Sequence, residues 1–369
     1  MLDVLYITTG MHIGGVQTFI VNYAPYLMRN GIRLNIAVQV DHEEIYDKYL
    51  ESIGCRIFHI TSLNKSKIRF MKDIYHLLNQ HPEIKIIHSH QNFSNVYALL
   101  AAKIQGTKIR ISHSHSNIKA SSLSRKVMRK LLQWILPYYA TDYWGCSMEA
   151  AQWLFGKYAN SNRCFVINNA INLNLYAYNE DTRNILRKEM NLEGKIVWVQ
   201  VGSLSSNKNQ TFSIHLFQKF HAKYPDSFFL LCGDGQIKGQ LTKIIEEKGL
   251  TNCVRLLGNV TNVNEILNAC DLFIMPSLFE GLGLSAIEAQ ASGLPCVVSS
   301  AIPDDALINN NIIKCHTWNE DEWLKAIENV YSLHTNREDA FITIQQAGYD
   351  VKIEADKLAS KYKQLVNRI

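Results

Sequence analysis

Short apolar runs separated by longer helical patterns recur along the whole chain, and that alternation leaves few folds open. Residues 2–8, 33–40, 56–60, 84–89, 108–113, 141–146 and 164–168 read as strands in the first half. Residues 196–201, 228–232, 254–257, 272–275 and 296–299 repeat the scheme in the second. Strands alternating with helices predict parallel sheets with crossover helices, hence an α/β fold. At 369 residues the chain exceeds what one core usually organises, so two domains are expected. The stretch 172–194 is polar and lacks a strand pattern, which puts the predicted domains at 1–175 and 176–350. Residues 351–369 supply a last helical segment, with Leu358, Tyr362 and Leu365 at helical spacing.

No stretch approaches the ~20 apolar residues needed to span a bilayer. Asp3 interrupts the first apolar run and no basic leader precedes it, so no signal peptide is expected. The eight cysteines occur singly, without metal-ligand spacing, as small apolar fillers in a reducing cytosol would. The net charge of +5 hides an asymmetry. Residues 1–180 hold 19 Lys/Arg against 11 Asp/Glu, and residues 181–369 hold 19 against 22. A basic first half suggests an anionic partner there. With no nucleic-acid recognition motif, anionic lipid or a phosphorylated acceptor is expected.

The most informative segment is Glu280-Gly281-Leu282-Gly283-Leu284-Ser285-Ala286-Ile287-Glu288. The apolar run 272–275 meets Pro276, as a buried strand ending near Ser277 would. Gly281 and Gly283 permit a tight turn and a close approach to a ligand. Residues 284–292 read as a short helix, closed by Gly293 with Pro295 two residues on. A helix starting at a strand end directs unpaired N–H groups and partial positive charge into the crevice, where an anionic phosphate fits. Glu288, about one turn into that helix, and Glu280, just before the glycines, are placed to accept hydrogen bonds from sugar hydroxyls. The pattern predicts a site for a sugar joined to a phosphate.

Residues 280–299, EGLGLSAIEAQASGLPCVVS, resemble the Glu-x7-Glu segment of the family 4 retaining glycosyltransferases of the GT-B type. Within that family the likeness is greatest to the branch that builds bacterial capsular and exopolysaccharides, and it extends over nearly the whole chain. The resemblance implies two Rossmann-like domains facing each other across a deep cleft. Donor nucleotide-sugar would bind mainly to the C-terminal domain and acceptor mainly to the N-terminal one. The last helix would return to pack on the first domain.

Other segments resemble the same family. Residues 201–209 match its strand–loop–helix at the start of domain 2, where an arginine after the glycine and a lysine five residues later commonly clamp the diphosphate. Gly202 and Lys208 fit, whereas Ser203 stands in place of the arginine. Gly233-Asp234-Gly235 resembles the glycine-rich turn flanking the donor, and Leu257-Gly258-Asn259-Val260 the loop whose backbone contacts the base. Near the N-terminus, Gly10 to Val16 is not a Walker loop, because Val16-Gln17 occupies the Lys-Ser/Thr positions, and it lacks Gly-x-Gly-x-x-Gly. Gly14 and Gly15 instead resemble the family's glycine pair near the donor phosphates and acceptor. His88-Ser89-His90 and His113-Ser114-His115 each follow an apolar run, with residues two apart on one face. No carboxylate or cysteine has suitable spacing to them, so no metal is expected. Residues 110–115 resemble the family strand whose terminal histidine lies by the reacting sugar. That singles out His115, with His113 next and His88 and His90 as further acceptor-side candidates.

Residues 124–136 set Arg125, Lys126, Arg129, Lys130 and Gln133 on one helical face, and Val127, Met128, Leu131, Leu132, Ile135 and Leu136 on the other. Such a helix either packs on the sheet with its basic face solvated or lies in an anionic membrane interface.

The expected activity is retaining transfer of a sugar from a nucleotide-diphosphate sugar, a UDP-sugar foremost, onto a saccharide or lipid-linked saccharide. The expected location is cytoplasmic, peripheral on the inner face of a bacterial membrane. Lys208 and the amides near Gly283 and Leu284 would stabilise the departing diphosphate. Gly202, Gly233, Gly258, Asn259, Gly281 and Leu282 would line the donor. Glu280 would position sugar hydroxyls, Glu288 the ribose, and His115 the sugar or acceptor. With no Asp-x-Asp motif, neither a divalent metal nor a cofactor beyond the donor is expected. Other classes stay open on sequence alone. Glu280 and Glu288 could serve a glycoside hydrolase as acid and nucleophile. A non-catalytic nucleotide-sugar-binding subunit is another, to which Ser203 lends weight, and a sugar-nucleotide epimerase is a third.

Overall fold

Both sheets of this protein are parallel throughout, and both reverse their strand order beside their first strand. The structure is a computed structural model that describes residues 1–12, 14–115, 123–332 and 337–368, with backbone alone at 123–126. Residues 1–171 with 348–369 form one compact unit, and 172–347 the other.

In the first unit the strands are β1 (Leu2–Ile7), β2 (Ile32–Val38), β3 (Arg56–His59), β4 (Ile84–Ser89), β5 (Ile109–Ser114), β6 (Asp142–Gly145) and β7 (Cys164–Val166). Their spatial order is β3-β2-β1-β4-β5-β6-β7. The second unit holds β8 (Ile196–Val201), β9 (Ser227–Cys232), β10 (Val254–Gly258), β11 (Leu272–Met275), β12 (Cys296–Ser299) and β13 (Ile312–Cys315), in the order β10-β9-β8-β11-β12-β13. Both are doubly wound, Rossmann-like sheets. In such sheets ligands bind outside the strand C-termini at the order reversal. The reversal lies between β1 and β4 in one unit and between β8 and β11 in the other. The segments leaving those four strands carry the Gly10–Gly15 turn, His90, Lys208 and Glu280.

Two-sided burial explains why the strands read as continuous apolar runs. On β1, Val4 and Tyr6 pack with Phe19, Tyr23 and Leu27, while Leu5 and Ile7 face Ile74, Leu78 and Leu99 across the sheet. The last helix, Val351–Val366, belongs to this first unit, as the resemblance implied. Asp350 caps it by accepting from the Lys352 N–H at 2.9 Å. Leu358, Tyr362 and Leu365 are buried in the same core cluster as the helix Gly15–Arg29. Each such burial contributes about 1.5–3 kcal/mol. The Tyr362 hydroxyl reaches Tyr6 Oη at 2.7 Å and His88 Nδ1 at 2.6 Å, which ties the chain's end to β1 and β4.

Two sequence expectations need correction. Strand β13 was not anticipated. It is a four-residue edge strand, mostly half-buried, that follows Asn309-Asn310-Asn311 and pairs with β12 from Cys296↔Ile312 to Ser299↔Cys315. The helix Leu123–Ile135 also divides its faces differently. Arg129 turns inward, its guanidinium 5.3 Å from the Trp153 ring centroid and 5.6 Å from that of Phe93, and Gln133 Nε2 donates to the Trp153 carbonyl at 3.2 Å. Val127, Met128, Leu131 and Trp134 are exposed, with Tyr138 one turn on. An arginine stem packs like an apolar side chain and its planar head stacks on aromatic rings, so Arg129 competes successfully for the inner face. The side chains of Arg125 and Lys126 lie outside the described residues. No described helix is long and apolar enough to cross a membrane.

Candidate active site

In the second unit the loops leaving β8 and β11 are laced together by Asn207. Its Nδ2 donates to the Phe279 carbonyl at 2.8 Å, and its own carbonyl accepts from the Leu278 N–H at 2.8 Å. Lys208 is fixed through its backbone: Gln200 Nε2 donates to the Lys208 carbonyl at 2.7 Å, and the Ser213 hydroxyl holds Gln200 Oε1 at 2.7 Å. The Lys208 Nζ then lies 2.6 Å from Glu280 Oε1, with 18% and 10% of the two side chains exposed. Gly233 closes the neighbouring turn. A Cβ there would sit 2.1 Å from the Gly202 carbonyl oxygen, and its φ of +135° suits only glycine. Its N–H donates to the Gly258 carbonyl at 2.8 Å, bringing the Gly258 turn alongside, with Asn259 exposed next to it.

After Glu280 the chain passes Gly281 and Leu282 to Gly283, left-handed at φ +82°, where the helix Leu284–Ala291 begins. The N–H of Ala286 donates back to the Gly283 carbonyl at 2.9 Å, so the Leu284 and Ser285 amides precede the first intrahelical bond. Glu288 keeps partial solvent exposure as a residue, yet its carboxyl sits deep among protein atoms. That burial pushes its pKa up to about 7, against a hydrogen bond from the Tyr176 hydroxyl that favours the charged form. Lys208, Glu280, Gly283, Leu284 and Glu288 thus belong to two neighbouring segments of one unit. A cation, free amides and hydrogen-bond-accepting carboxyls are what a sugar phosphate needs.

In the first unit Gly14 caps the helix Gly15–Arg29, and Gly15 is exposed. Gln17 Nε2 holds the Gly10 carbonyl at 2.9 Å, and the Glu44 carboxylate accepts from the Met11 N–H. The β4–β5 register pairs His88 with Ile111 and Ser89 with Ser112, so the two His-Ser-His segments leave neighbouring strands offset by two residues. His88 Nε2 meets His113 Nδ1 at 3.0 Å, and His90 Nδ1 meets His115 Nε2 at 2.7 Å. The two pairs stack, with centroids 4.2 Å apart for His88/His90 and 3.9 Å for His113/His115. Burial holds all four imidazoles well below the usual histidine range, His115 at about 3, so they are neutral at pH 7. Ligand atoms of His88, His90 and His113 lie within 4.8 Å of one another, a grouping that local spacing hides. Within each pair one nitrogen of each ring is bonded to the other ring, whereas His90 Nε2 and His113 Nε2 have no protein partner among the described residues.

Two family models cover the chain in succession: Glycosyltransferase Family 4 matches residues 13–175, and Glycosyl transferases group 1 matches residues 181–344. Among solved structures, Anabaena Alr3699/HepE in complex with UDP is similar with a TM-score of 0.81 at 19% identity, over 99% of this chain and 100% of that one. The chain is a glycosyltransferase of the GT-B fold. This glycosyltransferase is 25% identical over 367 residues to the Bacillus subtilis (strain 168) protein named glycosyltransferase EpsF, covering 97% of this chain and 96% of the relative. It is 27% identical over 280 residues to the UDP-Gal:alpha-D-GlcNAc-diphosphoundecaprenol alpha-1,3-galactosyltransferase of Escherichia coli, covering 71% and 70%. That class supersedes the hydrolase reading of the two glutamates.

Several residues that shape the candidate loops of each unit carry no local signature: Asn207 and Tyr176 in the second, Glu44 and Tyr362 in the first. Gln200 does carry one. It is a polar residue inside an apolar strand, and a buried polar side chain must be bonded to something.

Proposed function

We propose that this glycosyltransferase moves a sugar from a nucleotide-diphosphate donor, a UDP-sugar foremost, onto a saccharide carried on a lipid diphosphate, with retention of anomeric configuration. The pathway is capsular or exopolysaccharide assembly, the branch that residues 280–299 resemble. The observation that carries the reading is the Lys208–Glu280 pair beside the Leu284 helix start, at the order reversal of the second sheet. A diphosphate there takes the ammonium and the Leu284 and Ser285 amides. Glu280 orients the sugar hydroxyls and Glu288 the ribose, with Gly202, Gly233, Gly258, Asn259, Gly281 and Leu282 lining the donor. Ser203, where the family commonly has arginine, contributes a neutral hydroxyl, so Lys208 supplies most of the fixed charge.

Residues 176–350 act as the donor side and 1–175 as the acceptor side, where Gly14 and Gly15 leave room and His115 meets the sugar or acceptor. The bond from the anomeric carbon to the phosphate oxygen breaks, and the acceptor oxygen bonds the same face. The acceptor's proton passes to the departing phosphate oxygen. No carboxylate needs to become covalently attached in this scheme, and no metal is required by it. The Escherichia coli relative is named for a sugar-diphosphoundecaprenol acceptor, which supports a lipid-linked acceptor here. The exposed apolar side chains of Leu123–Ile135 support a peripheral seat on the anionic inner face of the membrane, in the cytoplasm.

The test is a thermal-shift screen of nucleotide diphosphates and their sugar conjugates, followed by NMR of the anomeric centre in the product formed on a sugar-diphosphate-lipid acceptor. Stabilisation by a UDP or GDP conjugate that disappears in Glu288→Ala is expected, with an unchanged anomeric configuration. Equal stabilisation of the variant, or an inverted product, would overturn the proposal.

A further inference from the structure

The outer imidazole pair has a property that follows from proton counting. A neutral imidazole carries one N–H, and the His90 Nδ1 to His115 Nε2 bond at 2.7 Å uses one proton of the pair. If His90 donates, His115 keeps its proton on Nδ1 and His90 Nε2 is bare. If His115 donates, its Nδ1 is bare and His90 Nε2 carries the proton. Both states hold the same two protons. Neither His115 Nδ1 nor His90 Nε2 has a protein partner, although both atoms are buried. Of the four histidines only His115 keeps partial exposure as a residue, so its unpartnered nitrogen is the one a ligand hydroxyl would satisfy.

We propose that His90 is a positioning residue that acts through His115: it fixes the ring and shares its tautomer, so that His115 Nδ1 can meet a sugar hydroxyl as donor or as acceptor. This rests on the reading that His115 contacts the sugar or acceptor. The supporting geometry runs inward from there. His90 is itself held by the Tyr6 ring, 4.6 Å away between centroids, and its backbone N–H donates to the Ile7 carbonyl at 2.9 Å. Beneath it the His88–His113 pair forms a second layer, anchored by the Tyr362 hydroxyl on His88 Nδ1. The outer pair therefore cannot turn without disturbing a buried stack.

The experiment is a double-mutant cycle on the full chain, with kcat, KM and nucleotide-diphosphate stabilisation measured for each variant. His90→Phe keeps a flat ring and removes the bond. It should lower kcat about tenfold to a hundredfold, as small misplacements of a reacting group do, while nucleotide binding stays at the wild-type level. In the His115→Ala background the same change should cost less than about twofold, because the pair then has no member to act through. His90→Asn, whose amide can donate or accept near the Nδ1 position, should recover most of the activity. A further loss in the His115→Ala background equal to that in wild type, or a full kcat in His90→Phe, overturns the proposal. Imidazole 15N spectra test it without turnover, and so separately from the proposed function. The wild-type His115 signal should report both tautomers in exchange, and in His90→Phe that averaging should vanish. A wild-type His115 fixed in one tautomer would overturn it even if sugar transfer is demonstrated.

Discussion

Lys208 and Glu280, 72 residues apart in the chain, form a 2.6 Å ion pair across the loops that leave β8 and β11. In the proposed donor site, a diphosphate would share the ammonium with this carboxylate. Lys208→Ala should lower kcat/KM by about 10²–10³, the usual cost of removing one donor to developing charge. It should also destabilise the fold by about 1–3 kcal/mol, because Glu280 is left largely buried and unpaired. Lys208→Met combined with Glu280→Gln should regain stability and not activity. Steady-state kinetics and urea unfolding decide the point, and wild-type kcat/KM in Lys208→Ala would refute the role.

Glu288 sets a pH dependence with a definite sign. Burial holds its pKa at about 7, above the ordinary 4.5. The folded protein therefore retains a proton that the unfolded chain releases. Its contribution to stability is complete below about pH 4.5 and lost as pH rises through 7. The buried histidines act in the opposite sense, their contribution being lost as pH falls below 6.5. Subtracting Glu288→Gln from wild type cancels them. The difference should run in the variant's favour as pH rises from about 4.5 to 7, by about 1.4 kcal/mol per pH unit at most, and level off above that. If the ribose hydroxyls bond the ionised carboxylate, nucleotide affinity rises over the same interval and calorimetry in buffers of different ionisation heat detects a released proton. A pH-independent difference would show that Glu288 is ionised throughout.

What could be read from the sequence was whatever is local. Strands such as Ile84–Ser89 are buried on both faces and so appear as apolar runs, and Glu280 to Gly293 carries its turn, helix and stop signals in one stretch. Contacts created by sheet order left no such trace. Asn207 bonds Phe279 from 72 positions away, and His88 bonds Tyr362 from 274. The histidine block exists only because β4 and β5 are neighbouring strands whose register brings the two segments within reach at an offset of two residues. At Leu123–Ile135 periodicity separates two faces but cannot say which of them packs, and two aromatic rings drew Arg129 inward.

Tyr362 tests how much the returning helix depends on one hydroxyl. Tyr362→Phe keeps the ring and leaves His88 Nδ1 and Tyr6 Oη each short of a partner. The loss should be about 1–3 kcal/mol, the penalty of a buried polar group left unsatisfied. Tyr6→Phe added to it should cost less than its effect alone, since the two hydroxyls share one bond. Denaturant midpoints at constant m-value measure both quantities, and strict additivity would mean that the hydroxyls act independently.

The outward stripe on Leu123–Ile135 gives the last prediction its variants. Arg129 already stacks on Trp153 and Phe93, so reversing its charge would unsettle packing rather than report on lipid. Trp134 and Leu131 are better probes, 67% and 48% exposed, and Lys130 beside them adds a cation. An interfacial helix holds the membrane by apolar burial assisted by charge. Trp134→Asp with Leu131→Asp should therefore cut sedimentation with anionic vesicles by at least about tenfold, through lost apolar burial and charge repulsion. Lys130→Glu should act mainly at low salt, where screening is weak. The same variants should leave nucleotide-diphosphate stabilisation untouched, because the proposed donor loops belong to the other unit. Wild-type sedimentation of the double aspartate variant would assign the stripe to something other than a membrane.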